Sequence, residues 1–429
     1  MGEHPDVTRR GFLGTTAAAA AFVAAVGSRA HAQGMDNLRI GLIGCGGRGS
    51  GAVSDALAAA AQLKLNAKIV ALGDLFQDRL DGAFTKFTQP GVANELTKER
   101  CFVGFDAYKK VIDSDVNYVL LATPPGWRPL HLEYAVEKGK HVFFEKPCAV
   151  DPLGVRRVLA ASAKATEKKL AVVAGTLYRH SPCYRETIRR VHDGFIGDIT
   201  AGQIYYNTGF LWSRPRQKEW SDAEYQLRNW YYMTWLSGDF NVEQHVHNLD
   251  VMHWIMGGPP VKCTSVGGRQ VRTAPEFGHI YDHFVTDYEY ENGVHIMSSC
   301  RQQGNTTPKN TNHYIGTKGH TDPSQIIWGD NPWRFDNPQP FAGYVLEHVN
   351  ALQSLLAGEP VNEAKQQAES TMIGIMARMS AYTGKEVTWD FVMNKSELDT
   401  WPEEWRGKEP NFGTMAEPAV AMPGRTPLV

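Results

Sequence analysis

The stretch NLRIGLIGCGGRGSGAVSDALAAAAQ, residues 37–62, constrains the fold more than any other part of the chain. An apolar run from Leu38 to Ile43 leads directly into Gly44-Cys45-Gly46-Gly47-Arg48-Gly49, and a helix of small residues follows. A G-x-G-x-x-G loop alone is a weak signal, but between a strand and a helix each glycine has a task. Gly44 permits the tight turn, Gly46 lets the backbone approach a pyrophosphate, and Gly49 lets the helix pack closely on the strand. Gly47 and Arg48 then open a helix whose N-terminus faces the phosphates. The second strand, AKIVALGD, ends in Asp74. A carboxylate there accepts both hydroxyls of an adenosine ribose and repels a 2′-phosphate, which favours NAD over NADP. The spacing from the glycines, about thirty residues, implies a long first helix and loop. The competing reading of Asp74 is a loop residue capping the next helix.

Two more strand ends follow in VNYVLLATPPGWRPLHLEYAVEKGKHVFFEKP. A buried strand, Tyr118 to Ala122, gives way to the turn Thr123-Pro124-Pro125 and a helix carrying His131; after Gly139 another strand, His141 to Phe144, runs into Glu145-Lys146-Pro147. Apolar strands alternating with helices specify a doubly wound parallel sheet, the Rossmann arrangement, with ligands beyond the carboxyl ends of the strands. Lys146 stands at such an end. Position alone does not make it catalytic, because a lysine after a strand is usually a solvated surface group.

A chain of 429 residues exceeds one ordinary core, so a second domain is expected. Past residue 175 the pattern changes to apolar–polar alternation around turns, as in ITAGQIYYNTG and HFVTDYEYENGVHIMSSCRQQG, which specifies a mainly antiparallel open sheet within a second α/β domain. Two amphipathic helices return before Gly384. The expected organisation is a dinucleotide-binding domain over 35–175, a substrate-binding and oligomerisation domain over 176–390, and an arm or tail over 391–429. With a net charge of −2 there is no basic footprint for nucleic acid. Eleven Trp and sixteen Tyr suit sugar rings as well as they suit cores and interfaces. The six cysteines show no C-x-x-C spacing and read as reduced and buried. Residues 1–32 carry Arg9-Arg10, Phe12-Leu13, an alanine-rich run and Ala30-His31-Ala32, the pattern of a twin-arginine export signal, too short and alanine-rich for a comfortable membrane span. A periplasmic destination follows, and the folded-protein route suits a protein that must load a cytoplasmic cofactor first.

The segment GDFNVEQHVHNLDVMHW, Gly238 to Trp254, concentrates histidines and acids. On a helix Glu243, His247, Asp250 and Trp254 share a face, with His245 about 200° away from Glu243. On a strand His245 and His247 form a metal-like pair, but no second cluster of ligands is evident, and no metal is expected.

Together these residues resemble the Gfo/Idh/MocA family of oxidoreductases, whose namesakes include glucose-fructose oxidoreductase and inositol dehydrogenase. The matching elements are the Gly44–Gly49 loop, Asp74, ATPPGWRPLH with His131, GKHVFFEKP, GTLYRHSPCYRETIRRVHDGFIGDI and Glu243-x-x-x-His247-x-x-Asp250, spanning the chain to about Trp389. The resemblance implies NAD(P) and a sugar or polyol held between two domains, with the family's catalytic lysine at Lys146 and its proton-accepting histidine at His247. The family's frequent aspartate is Glu243 here, one methylene longer, able to bind a neighbouring hydroxyl or orient the imidazole. Oxidation of a secondary alcohol removes a hydride and a proton; neutral imidazole suits the proton, and an ammonium stabilises the developing alkoxide. Tyr178 and Arg179, from LYRH, are candidates to close over nicotinamide, and Arg228 and Trp230 to line the sugar pocket. Arg301, Gln302 and Gln303 are candidates for its edge. Because free nicotinamide cofactor is not expected outside the cytoplasm, the cofactor is expected to be tightly held. The resemblance also implies a homo-oligomer. Two other readings stay open: a glycosidase using NAD transiently, against which the presence of Lys146 argues, and a non-catalytic sugar sensor.

Overall fold

The computed structural model describes residues 37–429, so the export signal read over 1–32 lies outside the described residues. Six strands form the first sheet: β1 (Asn37–Ile43), β2 (Asn66–Asp74), β3 (Cys101–Val103), β4 (Tyr118–Leu121), β5 (His141–Phe144) and β6 (Val172–Ala174). Their order is β3-β2-β1-β4-β5-β6, and all pairings are parallel. Leu38, Ile40, Leu42 and Ile43 of β1 are all buried, the continuous apolar pattern of a strand covered by helices on both faces. The order reverses between β1 and β4, which places the cleft outside the carboxyl ends of those two strands.

The second sheet has nine strands: β7 (Ile199–Thr208), β8 (Lys262–Gly268), β9 (His283–Glu289), β10 (His295–Gln302), β11 (Lys309–Gly316), β12 (Gly319–Asp322), β13 (Ile326–Gly329), β14 (Trp333–Arg334) and β15 (Val387–Thr388). Every pairing is antiparallel except β7 with β10, which lie side by side in the centre of the sheet. The helices Val246–Met256 and Ala364–Thr383 pack on its inner face. Its outer face is open and carries Val266, Val285, Met297, Ile315 and Trp328 exposed.

The two halves are stitched together twice. Helix Gly343–Leu356 follows the second sheet in sequence but packs on helix Gly47–Gln62, and its Val349, Ala351, Leu352 and Leu355 join the core beneath β1 and β4. The arm after β15 crosses to the dinucleotide-binding domain: Asp151 accepts hydrogen bonds from the Thr400 amide and hydroxyl, and Trp405 and Met415 join a core shared with Trp127, Tyr225 and Trp235. Among the described residues no helix is long and apolar enough to cross a membrane.

Candidate active site

A cavity of about 390 Å³ opens at the carboxyl ends of β1, β2 and β4. Its floor is the glycine loop. Gly44 has φ +96°, a conformation that side chains resist, and a Cβ on Gly49 would lie 2.0 Å from the Gly44 carbonyl oxygen. At Gly46 and Gly47 a Cβ would meet only open space, so the bare backbone leaves a cradle for a phosphate group. Asp74 staples this loop to the end of β2: one carboxylate oxygen accepts from the Cys45 amide at 2.7 Å and the other from the Phe76 amide at 2.9 Å. Burial raises its carboxyl pKa, and those two N–H groups oppose the rise. Thr123 and Pro124 line the opposite wall, while Pro125 is buried beneath the turn. His131 also lines the cavity; it stacks on Tyr108 with ring centroids 4.3 Å apart, and its Nδ1 lies 3.2 Å from the Thr123 hydroxyl. Burial pushes its pKa down to about 3, so it is neutral. These features fit a dinucleotide with its pyrophosphate on the loop.

The cavity ends at Arg48. The Arg48 Nε donates to Glu145 at 2.5 Å, Nη2 donates to Asp55 at 3.0 Å, and the guanidinium lies 4.7 Å over the Tyr344 ring. Burial works against its charge, but Glu145, Glu347 and Asp55 outweigh that and raise its pKa. Near Arg48 lies the corner that holds Lys146, Glu243 and His247. Lys146, at the end of β5, donates its Nζ to the Glu243 carbonyl and to the Glu243 Oε1, the latter at 3.1 Å. The other carboxylate oxygen of Glu243 accepts from the Gln244 amide at 2.6 Å, and Gln244 in turn accepts from the Tyr206 hydroxyl at 2.8 Å. The ammonium of the first domain is thereby fixed by a row of polar groups from the second. His247 lies against Tyr178, ring centroids 5.6 Å apart, and neither of its ring nitrogens has a hydrogen-bond partner among the described residues. Burial, then the positive charges of Lys146 and Arg48, hold its pKa well below the ordinary histidine value.

The expected helix face is not continuous. The helix Phe240–Glu243 ends before Val246–Met256 begins, and at the junction the His245 amide reaches back five residues to Phe240 while the His247 amide reaches back only three to Gln244. Glu243 is consequently rotated onto Lys146 and makes no hydrogen bond to the imidazole. Asp250 also turns away: it accepts both bonds from the Arg179 Nε, at 3.0 and 2.9 Å, and one from Ser370. His245 is buried against the Ser298 hydroxyl at 2.6 Å, and burial pushes its pKa down to about 3. Among the described residues no group of three or more His, Cys, Asp or Glu is arranged to hold a metal ion.

Arg228 and Trp230 stand elsewhere: both line the dinucleotide cavity on the Asp74 side. Arg301 donates to the Thr307 carbonyl, Gln302 accepts from Tyr231 and Arg272 in the core, and Gln303 donates to Asp282, so none of the three meets the Lys146–His247 corner. Arg179, engaged by Asp250, supports the helix behind it. Tyr344 and Glu347, whose only sequence signal is a tyrosine and a glutamate in an amphipathic helix, are further residues of this corner that the sequence pattern does not single out, as are Tyr206 and Gln244. Glu347 is fully buried and neither carboxyl oxygen accepts a hydrogen bond among the described residues, the Arg48 guanidinium lying 3.9 Å away; burial, then Glu145, raises its pKa well above the carboxylate range. Asp239, just before the Glu243 helix, has φ +73° and is fully buried; its carboxylate accepts from the Phe240 and Tyr281 amides and the Tyr382 hydroxyl, and burial pushes its pKa up to about 6.

The fold and cleft are those of a two-domain nicotinamide-dependent oxidoreductase. Residues 38–174 match the oxidoreductase family with an NAD-binding Rossmann fold, and residues 184–322 match the GFO/IDH/MocA C-terminal domain. Together the two matches take in more than half of the sequence, and the chain belongs to the Gfo/Idh/MocA oxidoreductase family. It is similar to the scyllo-inositol 2-dehydrogenase (NAD(+)) of Bacillus subtilis, 27% identical over 232 residues, which are 53% of this chain and 58% of that protein. The matched region thus spans little more than half the length of that curated relative. Among solved structures the fold is similar to an oxidoreductase from Thermotoga maritima, with TM-score 0.65, 22% identity and coverage of 83% of this chain and 99% of that one. It is similar also to a levoglucosan dehydrogenase in complex with NADH and levoglucosan, with TM-score 0.65, 16% identity and coverage of 82% and 99%.

Proposed function

We propose that the protein oxidises, or in reverse reduces, a secondary hydroxyl of a sugar, glycoside or polyol. The observation that carries this reading is a neutral imidazole without a partner, His247, near an ammonium fixed by Glu243 and near Arg48, which lines the dinucleotide cleft. A nicotinamide dinucleotide, when bound, supplies the acceptor for the hydrogen and two electrons of the carbinol carbon. His247 accepts the hydroxyl proton, for which a neutral ring is ready at neutral pH. Lys146 donates to the alcohol oxygen as negative charge develops there. Glu243 keeps the ammonium aimed, and Tyr178 and Tyr344 offer ring faces to an apolar face of the substrate. Asp74 favours NAD over NADP.

The cofactor is held through many turnovers, and the protein works outside the cytoplasm after export by the signal in residues 1–32, its cofactor recycled by a second substrate or a carrier. Copies associate through the open face of the second sheet, where Val266, Met297 and Trp328 are exposed. The names of the relatives, inositol and levoglucosan dehydrogenases, support the substrate class. No observation favours the glycosidase reading over this one, since Lys146 is present and engaged. The test is to identify the cofactor released from purified protein by mass spectrometry, then to screen inositols, anhydrosugars and aldoses for reduction of the bound cofactor, with a chromogenic glycoside as control. Substrate-dependent reduction is expected; aglycone release without net reduction overturns the proposal.

A further inference from the structure

The wall of the dinucleotide cavity nearest Asp74 is not made by the Rossmann domain alone. Trp212, Arg214, Arg228 and Trp230, all from the second domain, face it. Arg228 crosses the entrance. It leaves the end of the helix Asp222–Arg228, lies 3.9 Å over the ring of Phe76, two residues past Asp74, and donates from Nη1 to Asp78 at 3.1 Å. Its Nε is held by Glu224 at 2.8 Å, so the guanidinium is tethered at its base and its face closes on the ring. Independently, the C-terminal arm reaches the same loops from behind. The Phe412 ring centroid is 5.8 Å from Phe76 and 5.0 Å from Phe105, and Trp405 packs edge-on against Phe105 at 5.6 Å. Phe76 is therefore gripped between a cation from one element and an aromatic ring from another, neither of which belongs to the domain that carries the glycine loop.

We infer that Arg228, seated on a Phe76 ring that Phe412 braces, forms a clasp over the adenosine half of the cofactor cleft, so that a nicotinamide dinucleotide leaves only when the Arg228–Phe76–Asp78 contact opens. This rests on the reading that the cleft holds such a dinucleotide, and it assigns the slow release proposed above to a particular contact. Adenosine has an apolar flat base and a neutral ribose. A guanidinium and aromatic rings at that end contribute faces for stacking and exclude water without requiring the dinucleotide to present a charge there. The phosphates are left to the glycine loop. The exposed Arg228–Asp78 ion pair contributes little by itself, and the ring contact contributes more.

The test is the rate at which bound cofactor is lost from the full-length holoprotein, read by mass spectrometry and ultraviolet absorbance after timed dilution and gel filtration. R228A is expected to release cofactor at least tenfold faster than the parent. D78N, at an exposed position where folding is not at risk, is expected to accelerate release about two- to five-fold, and F412A to fall between the two. Release from both R228A and D78N at the parent rate overturns the clasp while leaving the dinucleotide reading intact. A parent protein that retains neither NAD nor NADP and takes up neither on titration, followed by intrinsic tryptophan fluorescence, overturns both. An R228A protein that melts like the parent without cofactor but takes up no NAD on titration makes Arg228 a binding determinant rather than a gate, which also overturns the clasp.

Discussion

Half-buried His247 and fully buried Glu347 are titratable side chains whose surroundings push them toward neutrality from opposite directions. For His247 burial and the nearby cations lower the pKa, so the base remains unprotonated well below the usual histidine range. The expected outcome is that kcat/KM keeps its full value as pH falls through 6.5, the ordinary histidine value, and declines only further down. An acid limb centred at 6.5 in a pH–rate profile contradicts this. K146A and H247A are each expected to lower kcat/KM by about 10²- to 10⁴-fold in steady-state assays. For Glu347 burial raises the pKa above the ordinary 4.5, so the native state holds a proton that the unfolded chain releases. Its contribution to stability is fully present below that ordinary value and is lost as pH rises toward the folded one. E347Q, which cannot ionise, is expected to flatten the decline of unfolding free energy as pH rises above 4.5, measured by urea titration at several pH values. Lys146 and His247 could be singled out in the sequence because each sits in a short motif that carries the family resemblance, EKP and Glu243-x-x-x-His247. Glu347 could not be, because a glutamate in an amphipathic helix reads as part of its polar face until the packing partner of that helix is known.

At the scale of elements, β1, β2, β4 and β5 could be read directly, since each combines a continuous apolar run with a turn signal. β3 and β6, three residues each, carry too little pattern. The break between the Glu243 and His247 helices was invisible for a different reason. It depends on Asp239, held at φ +73° and ψ +159°, a region that residues other than glycine rarely occupy, by the Tyr281 amide and Tyr382 hydroxyl of other elements. Glycine removes the backbone strain and also the anchoring carboxylate. D239G is therefore expected to alter stability by less than about 2 kcal/mol, as relief of strain offsets lost hydrogen bonds, while kcat falls about tenfold through a loosened Glu243. Thermal melts and steady-state kinetics measured on the same samples check both parts. Arg228 was expected beside the sugar; it lies by Asp74 because helix Asp222–Arg228 folds back across the domain boundary, which no local pattern announces.

At the scale of the molecule, the exposed apolar stripe on the outer face of the nine-stranded sheet is where the proposed self-association can be tested. M297E combined with V266E is expected to shift the particle to a smaller mass in light scattering with its thermal melt nearly unchanged, because both side chains face outward. The shared core is the second test: L352A, in helix Gly343–Leu356, is expected to cost about 2–5 kcal/mol by chemical denaturation although it lies nearly two hundred residues beyond the first sheet.

That returning helix also bears on the order of events during synthesis. A ribosome that has released residues 37–174 has made all six strands of the first sheet but not the helix that covers β1 and β4 and carries Glu347 toward Arg48. The nascent dinucleotide domain keeps an uncovered apolar face until residue 356 has emerged, so the cofactor cleft matures after most of the polypeptide has been translated. Cofactor loading is then a late, largely post-translational step, completed on a nearly full-length chain.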